Sequence, residues 1–330
     1  MAVLEGLEVR PPTLEDAESV ATLMNVCALE TEGKPETTPE EVKRFWQMPG
    51  ADLKRDMWLV TTSDGKVAAW GQVFNQSEKY TLYFERGRVH PDYRGRGIGS
   101  YLLELAESRA REMIPLAPPS ARITVRSGAS IRDEEGEKFL RDHSFELIRQ
   151  FWNMETTLES EPPEPHWPAG ITVRPFIEGK EERAVFDALM DAFKDHWGFL
   201  AEPLDRWLAY MTGGPRDPML NFIALEDEEI VALCLCRPYL AEDPELGWVD
   251  DLGVRRQWRR RGLALALLQH SFREFHKRGT RRVGLGVDAA SLTGATRLYE
   301  KAGMHVVRQF NSYAKVLREG EELMTQAIDE

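Results

Sequence analysis

Cysteine is scarce in this sequence, with three residues in 330, too few for a disulfide framework. Cys27 sits on an expected helix, and Cys234 and Cys236 stand two apart in an apolar, strand-like run. All three read as small buried hydrophobes. No uninterrupted apolar run approaches the ~18 residues of a membrane span. The opening Met1-Ala2-Val3-Leu4-Glu5-Gly6 lacks a basic end followed by an apolar core, so no secretory leader is expected. Basic residues are in deficit, 42 Lys and Arg against 55 Asp and Glu, for a net charge of −13. Such a chain gains little from displacing counterions, so neither nucleic acid nor an anionic membrane is an expected partner. Amine or cationic substrates suit the sign. The seven His are scattered, with no acidic–His cluster at ligand spacing, and no metal is expected. The sequence also lacks a Gly-Lys-Ser/Thr nucleotide loop and a Gly-x-Ser-x-Gly elbow. A cytoplasmic protein of enzyme size is the expectation that remains, with 42% hydrophobic residues and nine Trp for packed cores, and a length suited to about two domains.

The chain repeats itself. Gly6-Leu7-Glu8-Val9-Arg10-Pro11 recurs as Gly170-Ile171-Thr172-Val173-Arg174-Pro175. Arg94-Gly95-Arg96-Gly97-Ile98-Gly99 recurs as Arg259-Arg260-Arg261-Gly262-Leu263-Ala264, and Ile148-Arg149-Gln150-Phe151 as Val307-Arg308-Gln309-Phe310. Three anchors in one order at nearly constant offset mark a tandem duplication. Between the copies, Ser160–Ala169 carries four prolines and no apolar periodicity, the composition of a semi-rigid linker. The expected organisation is therefore an N-terminal domain over 1–158, a linker over 159–170 and a C-terminal domain over 171–330. Trp167 is expected to pack on a domain surface.

Each copy reads as mixed α/β. An opening strand leads to a helix with apolar residues at Ala17, Val20, Leu23 and Met24, or at Val185, Ala188, Leu189 and Ala192. A hairpin follows, Trp58–Thr62 with Val67–Val73, or Asn221–Leu225 with Ile230–Cys236. A further strand, Tyr80–Val89 or Gly247–Val254, runs into the Gly/Arg segment and a helix. Another strand (Ala121–Arg126; Arg282–Val287), a short helix and a last strand complete the copy.

The Gly/Arg segments carry the strongest chemical signal. Each lies between a strand and a helix N-terminus, where unpaired backbone N–H groups and the helix dipole favour an anion. Gly95, Gly97 and Gly99 let the backbone approach a phosphate. Arg94 and Arg96, or Arg259, Arg260 and Arg261, add charged donors. A pyrophosphate is the natural guest. Gly284-Leu285-Gly286-Val287-Asp288-Ala289 formally matches a dinucleotide fingerprint, but its glycines fall inside the expected strand rather than after it.

The pattern Arg-x-x-Gly-x-Gly/Ala, preceded by Val89-His90-Pro91-Asp92-Tyr93 or by Val254-Arg255-Arg256-Gln257-Trp258, resembles the GNAT acetyltransferase superfamily. So does Ala295-Thr296-Arg297-Leu298-Tyr299-Glu300-Lys301-Ala302-Gly303-Met304. Two such units in one chain look most like the tandem GNAT proteins of the mycothiol-synthase type, in which the C-terminal unit is generally the active one. The resemblance implies two tandem acyl-CoA N-acyltransferase domains, each a mixed, mostly antiparallel sheet flanked by helices. It implies acetyl-CoA held in the splay between the fourth and fifth strands. The pyrophosphate then falls to backbone around Arg259, Arg260, Arg261, Gly262, Leu263 and Ala264, and likewise Arg94, Gly95, Arg96, Gly97, Ile98 and Gly99 after Val89. A backbone N–H near Leu252, Gly253 and Val254 would hold the thioester carbonyl.

Amide formation also needs a proton removed from the amine and one supplied to the leaving thiolate. The family's usual thiolate acid matches Tyr299, whose alternative is a plain half-buried helix Tyr. In the first copy Leu140 aligns with Tyr299 and has no proton to give, so that domain is expected to be degenerate or auxiliary. For the base, period-two alternation puts Trp248, Asp250, Leu252 and Val254 on one face. Asp250 either accepts the amine's proton through water or is held in an ion pair; Glu85 stands at the equivalent place in the first copy. Asp288 either binds substrate or caps the next turn, the cap being favoured. His196 and Trp197 are either walls of the acceptor pocket or ordinary packing. The expected reaction is direct transfer of acetyl from acetyl-CoA to a primary amine, on a small molecule or on a peptide or protein. The competing expectation is a non-catalytic acyl-CoA-binding regulatory module.

Overall fold

The structure, a computed structural model, describes residues 5–327. Its elements follow the duplication. The first repeat runs β1 (Leu7–Arg10), α1 (Ala17–Glu32), α2 (Pro39–Trp46), α3 (Leu53–Asp56), β2 (Met57–Thr62), β3 (Val67–Asn75), β4 (Leu82–Val89), α4 (Ile98–Met113), β5 (Ile123–Ser130), α5 (Glu134–Asp142) and β6 (Glu146–Thr157). The second runs β7 (Ile171–Pro175), α6 (Glu182–Phe193), α7 (Leu204–Thr212), β8 (Phe222–Glu226), β9 (Glu229–Arg237), β10 (Leu246–Val254), α8 (Leu263–Lys277), β11 (Arg282–Asp288), α9 (Ala295–Lys301) and β12 (His305–Arg318).

The Val-Arg-Pro repeat has a structural reason. Arg10 forms a two-pronged ion pair with Asp16 at 2.6 and 2.7 Å, and Arg174 does the same with Glu181 at 2.7 and 2.8 Å. Each ties the opening strand to the start of the helix that follows. Both sheets bury apolar residues on both faces. In the second repeat Ile223, Leu225, Leu233 and Leu235 pack under α6 and α7, while Phe222, Ala224, Cys234 and Cys236 pack under α8.

The compact units do not follow the boundaries at 158 and 171. One unit comprises the residues up to Ile148 together with Phe310–Leu323; the other comprises Arg149–Gln309 together with the residues from Met324 on. Each repeat thus gives its last strand to the other's unit. In unit 1 the order is β1-β2-β3-β4-β5, closed by the Phe310–Arg318 part of β12 antiparallel to β5. In unit 2 it is β7-β8-β9-β10-β11, closed by the Phe151–Thr157 part of β6 antiparallel to β11. In both units every neighbouring pair is antiparallel except β4 with β5 and β10 with β11, which are parallel. The linker lies against unit 2: Trp167 meets the His270 ring edge-on at 5.9 Å, and Arg273 donates to the Pro162 carbonyl at 2.7 Å. A fragment limited to 171–330 would strip β11 of its partner β6 and expose the ladder groups on that edge. Size-exclusion chromatography and amide NMR dispersion should show it aggregated or poorly ordered; a monodisperse, well-dispersed fragment would contradict the exchange.

Candidate active site in unit 2

The site begins where two parallel strands part. β10 and β11 pair only from Leu246 with Arg282 to Val249 with Leu285. Beyond Val249, the edge of β10 facing β11 has no ladder partner and lines an opening. In unit 1, β4 and β5 pair over just Leu82–Phe84 before they also part.

At the end of each opening strand the Gly/Arg segment turns into a helix. Gly97 and Gly262 occupy the position before α4 and α8 with φ of 78° and 89°, a left-handed conformation that favours glycine. A Cβ built on Gly262 meets nothing within 4 Å, so the space an anion needs is open. Gly95 (φ 72°) has its counterpart in Arg260 (φ 64°), which keeps the same backbone path despite its side chain. Among the described residues, no acceptor takes the N–H groups of Arg260, Arg261, Gly262, Leu263 and Ala264, nor those of Gly95, Arg96, Gly97, Ile98 and Gly99. Each loop therefore offers five consecutive donors at a helix N-terminus, a fit to a pyrophosphate.

The arginine side chains are placed differently from the expectation that they face the anion. Arg259 donates to the Val254 carbonyl at 3.0 Å, to Asp195 at 2.6 Å and to the Ala192 carbonyl at 2.9 Å. Arg261 pairs with Glu226 at 2.7 Å. In unit 1, Arg94 pairs with Glu30 at 2.6 Å, and Arg96 lies 5.0 Å over the Tyr93 ring. These side chains brace the loops, and Arg260 alone of the second trio has no acceptor among the described residues. Gly262→Val would crowd the phosphate position and strain the turn. Calorimetry should show CoA affinity reduced about tenfold or more, roughly 1.4 kcal/mol, with circular dichroism confirming a folded variant; unchanged affinity would remove this loop from the cofactor site.

The alternation expected along β10 is broken. A bulge between Val249 and Asp251 leaves Asp250 without a partner in β9, after which Asp251 pairs with Leu235 and Leu252 with Cys234. One extra residue reverses the parity of everything after it. Asp250 is therefore not on one face with Leu252 and Val254. Those two pack on the α8 side. Asp250, Asp251 and Gly253 lie on the side of α6 and α7, where a Cβ on Gly253 would touch Ala192 and Phe193. Of the two alternatives for Asp250, the ion pair is the one present. Arg237 binds its carboxylate at 2.5–3.0 Å, and Tyr210 of α7 donates to it at 3.2 Å.

Asp251, set aside by simple alternation, is the more notable carboxyl. Burial, reinforced by the charges of Asp250 and Glu202 and only partly opposed by Arg237, pushes it up to about 7. A carboxyl poised there takes up and releases protons near neutral pH. Tyr299 on α9 is buried at 8% exposure in the α8-side core. Burial pushes its phenol well up, with Cys234 and Asp251 adding to the effect, so it stays protonated and able to donate. The three cysteines are free and buried, as their apolar settings suggested.

A cavity of about 230 Å³ lies on the α6/α7 side, lined by Phe151, Trp152, Asn153, His196, Trp197, Gly286, Val287, Asp288, Ser291 and Leu292. His196 and Trp197 both line this cavity. Burial holds His196 below its ordinary value, hence neutral at pH 7. Asp288 caps its turn, accepting from the Ala290 N–H at 3.0 Å, and is gripped by Arg149 at 2.8–3.0 Å. Gly284 and Gly286 lie within β11, and the Trp248 ring occupies the place of a Gly284 side chain; the dinucleotide pattern is a packing feature.

Unit 1 repeats the scaffold with different residues at the places of Asp251 and Tyr299. Phe145 N–H bonds the Leu140 carbonyl as Met304 N–H bonds that of Tyr299, both at 3.0 Å. Ser144 (φ 66°) matches Gly303 (φ 86°), so Leu140 stands where Tyr299 does. No bulge interrupts β4, where Glu85 pairs with Val73 and Arg86 with Gln72. Glu85 is buried on the α4 side with Val73 and is pushed up by that burial. By the spacing of the repeats the place of Asp251 belongs to Arg86. Among the described residues no group of three or more His, Cys, Asp or Glu is arranged to hold a metal ion, and no helix is long and apolar enough to cross a membrane.

Comparison with known proteins agrees with this geometry. A mycothiol acetyltransferase of Streptomyces scabiei is 32% identical over 221 residues, 65% of this chain and 66% of that protein, just under two thirds of its length. One from Thermobispora bispora is 28% identical over 231 residues, covering 65% and 70%. The crystal structure of a GCN5-related N-acetyltransferase from Sphaerobacter thermophilus is 36% identical, with a TM-score of 0.81 over 98% of this chain and 99% of that one. A tandem GNAT protein from the clavulanic acid biosynthesis pathway shares the fold at 15% identity, with a TM-score of 0.70 over 96% and 100%. The acetyltransferase (GNAT) family pattern matches twice, over residues 20–117 and 183–304, and with these two regions the chain belongs to that family, as a tandem GNAT acetyltransferase.

Proposed function

We propose that unit 2 transfers an acetyl group from acetyl-CoA to a primary amine by direct attack, and that unit 1 is an auxiliary domain. The observation that carries this reading is the pairing of Asp251, with its carboxyl near 7, and the buried, protonated Tyr299 within one unit. The loop N–H groups of Arg260–Ala264 hold the pyrophosphate. The free edge of β10 around Leu252–Val254 supplies an N–H to the thioester oxygen. Asp251 takes a proton from the bound ammonium, leaving the neutral amine that attacks. The new C–N bond forms as the C–S bond breaks; Tyr299 gives its proton to the leaving sulfur, and the second proton lost by the nitrogen restores the Tyr299 hydroxyl. Asp250, pinned by Arg237 and Tyr210, adds its charge to the burial that raises Asp251. The reduced, buried cysteines suit a cytoplasmic setting.

A binding-only reading fits unit 1, because Arg86 and Leu140 stand where the base and the acid would be. The test is a screen of primary amines with acetyl-CoA, following free thiol and the acetylated product by mass. Acetylated amine with stoichiometric thiol is expected. Thiol release without acetylated amine, or CoA binding with no turnover of any amine, would replace the reading with a hydrolase or a binding module.

A further inference from the structure

We infer that the cavity in unit 2 selects an acceptor whose amine sits on an uncharged body, and that β6, carried by the first repeat, sets this selectivity. The inference rests on the acetyl-transfer reading above and deepens it.

The cavity shares the α6/α7 side of the sheet with Asp250, Asp251 and Gly253. On β11 the residues facing it are Gly286 and Asp288, which pair with Asn153 and Phe151 of β6. The cover comes from the turn after α6, where the Phe193 and His196 rings meet at a tilt, 4.3 Å between centroids, and Trp197 follows. At about 230 Å³ the space is below the roughly 300–1,000 Å³ of sites that enclose a drug-sized ligand, so it takes one portion of an acceptor.

The charges along its wall are already satisfied. Asp288 is the wall's one carboxylate, and it is bound by Arg149 through two nitrogens and by the Ala290 N–H. The Arg149 guanidinium also donates to the Ala290 carbonyl at 2.8 Å and lies 4.7 Å over the Trp197 ring. His196 is neutral through burial. What remains are the faces and edges of Phe151, Trp152 and Trp197 and the neutral polar groups of Asn153 and Ser291. A second ammonium would find no free carboxylate there, and a carboxylate no free cation; either would pay desolvation without a partner. The carboxyl that takes up a proton lies instead at β10, in Asp251, where one ammonium is wanted. A body with an apolar face and neutral hydrogen-bonding groups matches the walls.

Gly286 offers a clean probe. A Cβ there meets only the Asn153 side chain, at 3.9 Å, and β11 tolerates a branched residue. Gly286→Val should fold, keep its affinity for CoA and fill the cavity. The probes are leucinamide, leucine and 1,5-diaminopentane, which carry a neutral, an anionic and a cationic body on a primary amine. The wild-type protein should acetylate leucinamide with kcat/KM at least about tenfold above either of the others, and Gly286→Val should raise the KM for leucinamide about tenfold or more. Asn153→Asp, which adds a free carboxylate to the wall, should move the preference toward the diamine. Preference of the wild-type protein for leucine or the diamine, or a Gly286→Val variant with unchanged KM, would overturn the inference and leave acetyl transfer standing. Failure of all three amines, with CoA bound normally, would instead remove the acetyl-transfer reading, and this inference with it.

Discussion

Tyr299→Phe should keep its affinity for CoA and lose turnover by the ~10²–10⁴ typical of removing a general acid. The substitution deletes one hydroxyl from a side chain buried at 8% exposure among apolar neighbours, so the ring volume and its packing survive. The loss should fall on kcat and kcat/KM together, because the proton is needed only as the C–S bond breaks. The matching change in unit 1, Leu140→Ala, should act on stability through the cavity it leaves, costing about 2–5 kcal/mol, with no direct effect on chemistry. Turnover and CoA affinity of both variants, measured with one working amine, separate the two cases. Equal losses of turnover, or none in Tyr299→Phe, would take the acid out of unit 2.

Asp251→Asn should have two effects of opposite sign. Turnover should fall by a similar ~10²–10⁴, and the rise of kcat/KM with pH through about 7 expected of the wild-type protein should disappear. Stability should increase. The folded state raises this carboxyl from 3.8 to about 7, so it holds the proton more tightly than the unfolded chain does. No penalty exists below about pH 4. It grows from about pH 4, as the unfolded chain gives up this proton and the folded state keeps it, and is complete above about pH 7, where it amounts to roughly 2–4 kcal/mol. Asn never ionises, so the variant and the wild-type protein should have similar urea midpoints at pH 4, and the variant should have the higher one at pH 8. A variant less stable at pH 8 would show that Asp251 is held there by partners that favour its charge.

What the sequence made legible was local. The Gly/Arg segments, Arg94–Gly99 and Arg259–Ala264, specify a left-handed turn and a helix start within a few residues, and both are present. The alignment of Leu140 with Tyr299 rested on Ser144-Phe145 and Gly303-Met304, and the same turn and carbonyl contacts occur at both places. Features that depend on distant partners were not legible. The bulge at Asp250 shows only when β10 is laid against β9, and without it alternation puts Asp250 on one face with Leu252 and Val254. Arg259 and Arg261 look free in the sequence, yet Asp195 and Glu226, 64 and 35 residues away, hold them. The exchange of β6 and β12 was hidden for the same reason: the linker marks where one repeat ends, whereas the choice of sheet for each last strand is made by pairing across more than a hundred residues. Phe151, Trp152 and Asn153 were missed as pocket residues because they precede the linker. Period-two patterning with aromatic side chains near a chain boundary was the signal that remained.

The central claim is that acetyl transfer takes place in unit 2 alone, through Asp251 and Tyr299. It is tested most directly by mass-spectrometric measurement of acetylated amine formed by the double variant Asp251→Asn/Tyr299→Phe, with both Gly/Arg loops intact. The account predicts that CoA still binds and that product forms no faster than in a control without protein. Product formed at a rate comparable to that of the wild-type protein would contradict it and place the chemistry in unit 1 or on other residues.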